Sequence, residues 1–322
     1  METTSLTTDL AIDVEKGLSS SPKFLKSKYF YDANGSKIFQ DIMLMPEYYL
    51  TDCEEEIFQL QKQQLFESFT NPQNHFEIVE LGAGDGKKTR ILLEYFLEQG
   101  SKIKYIPIDI SEEAIQQLSR LMQKTLPDLE FDGKIGDYFH LMEEINSFDK
   151  TDKVLLFLGS NIGNFTEEQS VEFLSHLRDV MNPGDKLFIG FDLKKDPDVI
   201  LKAYNDPHGH TAAFNLNLLR RINDELGADF ELLKFKHREV YDPMTGTAKS
   251  YLLSREKQTV NIPGLKKAFR FEKWEPIFME RSQKYDLRMI DHLAEQSGFA
   301  VVRNFTDSRH YFLNSLWKVA QE

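Results

Sequence analysis

The sequence predicts an α/β fold: a doubly wound, Rossmann-like parallel sheet accompanied by a second, smaller α+β domain. Three observations carry that expectation. From about residue 75, strand-like and helix-like segments alternate. A glycine turn, ELGAGDG (80–86), follows the first of those strands. After Leu193 the alternation gives way to a long amphipathic helix and then to paired strand-like segments. Strand, helix, strand at this spacing builds a parallel sheet covered on both faces.

The elements follow in order. HFEIVELGAG (75–84) reads as a buried strand entering the glycine turn, and KTRILLEYFLEQG (88–100) as a helix ending at Gly100. IKYIPIDI (103–110) is a second strand. The helix over 111–126 starts at a Ser111 cap and carries Ile115, Leu118 and Met122 on one face. LEFDGKIGDY holds a third strand and DKVLLFLGS (152–160) a fourth. TEEQ (166–169) matches a capping box before a helix at 167–181, which stops at Asn182-Pro183-Gly184. GDKLFIGFDL (184–193) is a fifth strand. Right-handed crossovers then bring the ends of the first and fourth strands together at a switch point, where such sheets bind ligands.

Beyond Leu193, the segment 211–227 is a helix with Phe214, Leu218, Ile222 and Leu226 four apart, closed by Gly227. Segments around 232–262 and 269–285 suit antiparallel strands, and 298–307 with 311–319 a closing hairpin. The expected division is a cofactor-binding domain of 57–194 with 286–322, and a substrate-binding domain of 1–56 with 195–285.

Composition narrows the partners. Lys and Arg total 39 against 52 Asp and Glu, a net charge of -13. That balance disfavours nucleic acid, whose phosphates need clustered basic residues, and gains nothing from anionic lipid. No run of about 18 apolar residues suggests a membrane span. A single cysteine, Cys53, can form neither an internal disulfide nor a thiolate metal site. A cytoplasmic monomer acting on a small molecule is the expectation.

The turn places Gly82, Gly84 and Gly86 two apart, which misplaces the third glycine for a dinucleotide. Asp109, at the end of the second strand, can accept both ribose hydroxyls of an adenosine. Asp137 followed by Tyr138, at the end of the third, can take an adenine amino group and stack its ring. The ordered set Glu80, Gly82, Gly84, Asp109 and Asp137 therefore favours S-adenosylmethionine over NAD.

These residues resemble those of the histidine Nα-methyltransferases of ergothioneine biosynthesis. The likeness runs from Tyr29 to the C-terminus. It rests on YFYDANGSKIFQDIMLMPEYYLT (29–51), ELGAGDGKKTR (80–90), YIPIDIS (105–111), FLGSNIGNFT (157–166), DLKKDP (192–197), AAFNLNLLRRINDELGADF (212–230) and ERSQKY (280–285). The resemblance implies a methyltransferase core plus a substrate domain, transferring three methyl groups in turn from S-adenosylmethionine to the α-nitrogen of histidine, giving hercynine. Carried over by motif, Tyr31, Gly82, Lys88, Asp109, Asp137 and Tyr138 would bind cofactor. Tyr48, Gly159, Asn164, Tyr204, Glu280 and Ser282 would bind the amino acid, and Tyr31 and Tyr48 would flank the reacting amine. The family carries a methionine near Ser250; serine there leaves space beside the ring.

The chemistry asks for little more. Glu280 and Ser282 are two apart in an apparent strand and so share a face, where carboxylate and hydroxyl can meet an imidazole N–H. Asn164, just past the fourth strand, and Tyr204 suit the substrate carboxylate. Aromatic faces at Tyr31 and Tyr48 can stabilise a cationic product. His208 and His210 lack a third ligand at usable spacing, so no metal is expected. Methylation of another aromatic amino acid, NAD-dependent oxidoreduction and a non-catalytic cofactor-binding protein are the competing readings.

Overall fold

The computed structural model describes residues 2–136, 141 and 151–320. It divides into two compact units. The first comprises Met1–Tyr49 with Lys195–Gln283, the second Leu50–Lys194 with Lys284–Glu322.

The second unit holds the doubly wound sheet. Its strands are β2 (His75–Leu81), β3 (Lys102–Asp109), β4 (Glu130–Phe131), β5 (Lys134–Ile135), β6 (Lys153–Phe157), β7 (Lys186–Asp192), β13 (Phe299–Thr306) and β14 (Phe312–Val319). Their order is β13-β14-β7-β6-β2-β3-β4, with β5 also on β3. Pairing is parallel from β7 to β4 and antiparallel through the closing hairpin. The first and fourth sequence strands, β2 and β6, are neighbours, so the chain reverses direction across the sheet there. The third strand is reduced to two dipeptides, β4 and β5, on either side of Asp132 and Gly133.

The helices obey the same local chemistry. In α5 (Glu112–Thr125) the Ser111 hydroxyl accepts from the Ala114 amide, and Ile115, Leu118 and Met122 are buried. Thr166 and Gln169 close a reciprocal capping box on α6 (Glu167–Val180). One apolar cluster joins Val79, Ile106, Leu155 and Ile189 to Phe173 and Leu177 of α6 and to Ile290 and Leu293 of α9 (Leu287–Gln296). A second set of rings, Phe58 and Phe69 of α3 (Tyr49–Phe69), Phe96 of α4 (Lys87–Glu98) and Phe188 of β7, meets at centroid distances of 5.0–6.1 Å.

That ring set explains one boundary. Residues 50–56, expected with the substrate domain, are the first turns of α3, and the helix packs its Phe58 and Phe69 on β7. Lys284 also falls in the second unit: its fully buried ammonium lies 2.7 Å from the fully buried Asp192 carboxylate at the end of β7.

The first unit pairs a four-stranded sheet, β1 (Lys23–Phe24), β12 (Pro276–Gln283), β9 (Thr247–Ser254) and β8 (Phe235–Asp242), with the hairpin β10 (Gln258–Ile262) and β11 (Lys267–Phe271). Helices α1 (Glu2–Ser19), α2 (Ala33–Met43), α7 (Pro197–Tyr204) and α8 (His210–Leu226) complete it. Leu218, Leu219 and Ile222 of α8 form its core with Leu10, Val14 and Leu18 of α1 and with Leu252 and Ile277 of the sheet. Gly227 ends α8 in the left-handed conformation. No helix among the described residues is long and apolar enough to cross a membrane.

Candidate active site

In the second unit, β2 runs into the glycine turn and α4 leaves it. Gly82, Gly84 and Gly86 all take positive φ, at 75°, 54° and 62°. At Gly84 a Cβ would project into open space, so the bare backbone leaves room for a ligand above the turn. Asp109, at the carboxyl end of β3, sits beside it: Oδ2 accepts from the Gly84 amide at 3.3 Å and Oδ1 from the Ser111 amide at 2.9 Å. A half-buried carboxylate beside an open glycine turn, at the switch-point end of the sheet, suits the ribose of an adenosine. Asp137 and Tyr138 lie outside the described residues.

Behind the turn stand two buried carboxylates. Glu54 of α3 accepts from the Lys88 ammonium, from the Gly159 amide at 3.1 Å and from Asn314 Nδ2 at 2.8 Å. Glu80, the last acid of β2, accepts from the Thr89 hydroxyl at 2.8 Å and from the Tyr105 hydroxyl. Burial pushes the Glu80 carboxyl up to about 7, against the opposing pull of those two hydroxyls and Lys88. Lys88 is thus held by Glu54 at the head of α4. Gly159, with φ 70°, turns the chain after β6 into the short 3₁₀ segment that ends at the half-buried Asn164.

In the first unit successive contacts link Ser282, Tyr204, Tyr48 and Tyr31. The Tyr204 hydroxyl is 3.0 Å from the Ser282 hydroxyl. The Tyr204 ring meets Tyr48 edge-on at 6.3 Å, Tyr48 meets Phe39 at 6.2 Å, and Phe39 meets Tyr31 at 5.5 Å. Tyr31 also packs on Phe214 of α8 and stays 39% exposed. Glu280 and Ser282 sit on β12 opposite Ser250 and Ala248 of β9, on the sheet face that also carries the buried Leu252. Among the described residues, no group of three or more His, Cys, Asp or Glu could hold a metal ion.

A family model for histidine-specific, S-adenosylmethionine-dependent methyltransferases matches residues 10–319. The chain belongs to that family. The histidine N-alpha-methyltransferase of Mycobacterium tuberculosis is 33% identical over 304 residues, covering 94% of this chain and 93% of that protein. That of Mycolicibacterium smegmatis is 35% identical over 295 residues, covering 92% and 90%. The ergothioneine biosynthesis protein 1 of Schizosaccharomyces pombe is 28% identical over 287 residues, 87% of this chain but 37% of the yeast protein.

Within this histidine methyltransferase, Gly82, Lys88, Asp109, Gly159 and Asn164 belong to the second unit, and Tyr31, Tyr48, Tyr204, Glu280 and Ser282 to the first. Two residues escaped the sequence reading. Glu54 sits in a run of three glutamates, where its charge attracts no notice. Its signal was spacing: Leu50, Cys53, Glu54, Ile57 and Phe58 form one buried helical stripe, with a carboxylate set in it. Glu239 of β8 is also buried and accepts from the Ser250 hydroxyl at 2.5 Å. Strict alternation through FKHREVYD puts it inward with Phe235 and His237, a signal hidden by the polar residues on both faces.

Proposed function

We propose that this enzyme transfers three methyl groups in succession from S-adenosylmethionine to the α-amino group of L-histidine, giving N,N,N-trimethylhistidine in the cytoplasm. The observation that carries this reading is the polar set Glu280, Ser282 and Tyr204 on an inward sheet face otherwise built from Leu252, Ile277 and Met279. An apolar ring offers that polar set no hydrogen-bond donor; an imidazole N–H supplies one.

The second unit is read as the cofactor-binding domain and the first as the substrate-binding domain. The open backbone at Gly84 and the carboxylate of Asp109 beside it fit an adenosine, and Lys88 offers a cation to the cofactor's carboxylate. When bound, S-adenosylmethionine supplies an electrophilic methyl carbon on a sulfonium. The chain's own task is to hold the amine nitrogen in line with that carbon at near-attack distance. An α-amine of pKa roughly 8 has a useful neutral fraction in mildly basic solution, so no strong base is required. Tyr31 and Tyr48 are assigned to flank the amine, where their hydroxyls can pass its proton to water and their faces stabilise the growing cationic product. Asn164 and Tyr204 are assigned to the substrate carboxylate, with Gly159 lending its backbone; Asp137 and Tyr138 are assigned to adenine.

Mass spectrometry of histidine after incubation with excess S-adenosylmethionine tests the reading. The expected product has gained three methyl groups. Unmodified histidine, with the cofactor consumed on another amine, would overturn the substrate; a reaction that stops at one methyl group would overturn the trimethylation.

A further inference from the structure

Tyr31, assigned above to the reacting amine, stands outside any regular element. It lies between the 3₁₀ turn Ser27–Phe30 and α2, with φ −91° and ψ 60°. Its hydroxyl is at the far end of the side chain, so a small rotation of the backbone swings it through a larger arc. A displacement of about 1 Å at a reacting centre can cost about a hundredfold in rate. The chain on either side of Tyr31 therefore has to be held.

One face of α8 holds it. Phe214, Asn217 and Arg221 are three and four residues apart in that helix and so share a face. Phe214 packs edge-on against Phe30 at 4.9 Å and Tyr31 at 5.4 Å. Arg221 Nη1 donates to the Tyr29 carbonyl at 3.1 Å, and its guanidinium stands 5.7 Å from the centre of the Tyr29 ring. Asn217 acts on the far side of Tyr31. It is 1% exposed, and both ends of its amide are bonded. Nδ2 donates to Asp32 Oδ1 at 2.8 Å, and Oδ1 accepts from Asn34 Nδ2 at 2.5 Å. The same Asp32 oxygen caps α2 by accepting from the Gly35 amide at 2.6 Å. The approach is close: a Cβ on Gly35 would lie 1.8 Å from the Phe30 carbonyl oxygen and 3.1 Å from Asn217 Nδ2.

The residue type at 217 follows from these bonds. The Asp32 carboxylate only accepts and the Asn34 NH2 group only donates, so one side chain must answer both. Leucine would fill the space and bond neither. Aspartate would set a second carboxylate against Asp32. Asparagine, buried in the core side of a helix, satisfies both at once, and the two residues it grips follow directly on Tyr31 in the chain.

We propose that Asn217 is a positioning residue for methyl transfer: through Asp32 it fixes the backbone of Tyr31 and so aims that hydroxyl at the reacting amine. This rests on the assignment of Tyr31 to the amine. The test is a double-mutant cycle on single-turnover methylation of L-histidine, at saturating histidine and S-adenosylmethionine, with Asn217→Ala, Tyr31→Phe and the two combined. Asn217→Ala is expected to slow the step about tenfold, and the combined variant to be no slower than Tyr31→Phe alone. A purely structural asparagine would instead multiply its loss onto that of Tyr31→Phe. A tenfold further loss in the combined variant, or an unchanged rate in Asn217→Ala, overturns the inference and leaves Tyr31 in its role. An unchanged rate in Tyr31→Phe overturns the assignment of Tyr31 and the inference with it. No methylation of histidine by the unmodified enzyme overturns both. Where Asn217→Ala does not fold, Asn34→Ala, at an exposed position, repeats the cycle. It should slow the step about threefold, with no further loss on Tyr31→Phe, and an unchanged rate there overturns the inference.

Discussion

Glu80 gives the molecule a stability that depends on pH in a direction opposite to that of an ordinary ion-paired acid. Its carboxyl is raised from 4.5 to about 7, chiefly by burial. Over that interval the folded chain holds a proton that the unfolded chain has released, so folding is favoured by acid. The contribution is fully present below pH 4.5 and is lost as pH rises through 7. A shift from 4.5 to about 7 corresponds to about 3 kcal/mol at most. Glu80→Gln keeps the neutral shape and can still bond the Thr89 and Tyr105 hydroxyls, so it removes the titration and little else. Urea unfolding of both proteins without cofactor, at pH values between 4.5 and 8, reads the difference directly. The expected result is a variant that gains about 3 kcal/mol relative to the unmodified protein across that range. A difference that stays constant from pH 4.5 to 8 would show that Glu80 is not held protonated by its surroundings, and the reasoning from burial would fail.

Two further outcomes follow from the buried charges of the second unit. Lys284→Ala removes the cation beside the fully buried Asp192 carboxylate and should cost about 3–5 kcal/mol in urea unfolding, whereas Lys284→Met with Asp192→Leu should recover most of the loss; equal losses in both would refute a charge effect. Glu54→Gln removes the charge partner of Lys88 while keeping acceptors for Gly159 and Asn314, and should cost about 1–3 kcal/mol by the same measurement.

The doubly wound sheet was legible because its central strands are buried on both faces and read as unbroken apolar runs, such as KVLLF in β6. Caps at Ser111 and Thr166 marked two helix starts. The third strand was over-read as one element, because Gly133 interrupts a segment whose apolar residues would otherwise continue. The N-terminal arm went unread as helix. Its Ser and Thr residues are weak helix formers, yet Leu10, Val14 and Leu18, four apart, bury one face of α1, so packing outweighed propensity. At the site, motif positions announced themselves through glycines and isolated acids, whereas Glu54 and Glu239 are distinguished by burial, which only the packing of α3 and of β8 reveals.

Glu280 shows why spacing alone could not finish the argument. Counting two residues at a time along β12 from the inward Ile277 predicts Met279 inward and Glu280 outward. The register does otherwise: Ile277 pairs with Leu252 and Glu280 with Ser250, both inward on β9, so the strand carries one extra residue between Phe278 and Glu280. That bulge shifts the phase of everything after it and turns Glu280 and Ser282 onto the face that Leu252 and Ile277 occupy. Two residues apart, the pair would share a face with or without the bulge; the bulge decides which face. Without it, the carboxylate and hydroxyl would stand on the side of Tyr251 and Phe278, and Tyr204 could not meet Ser282. The polar reading of the ring thus depends on a single inserted residue, an apolar methionine that no motif search would select.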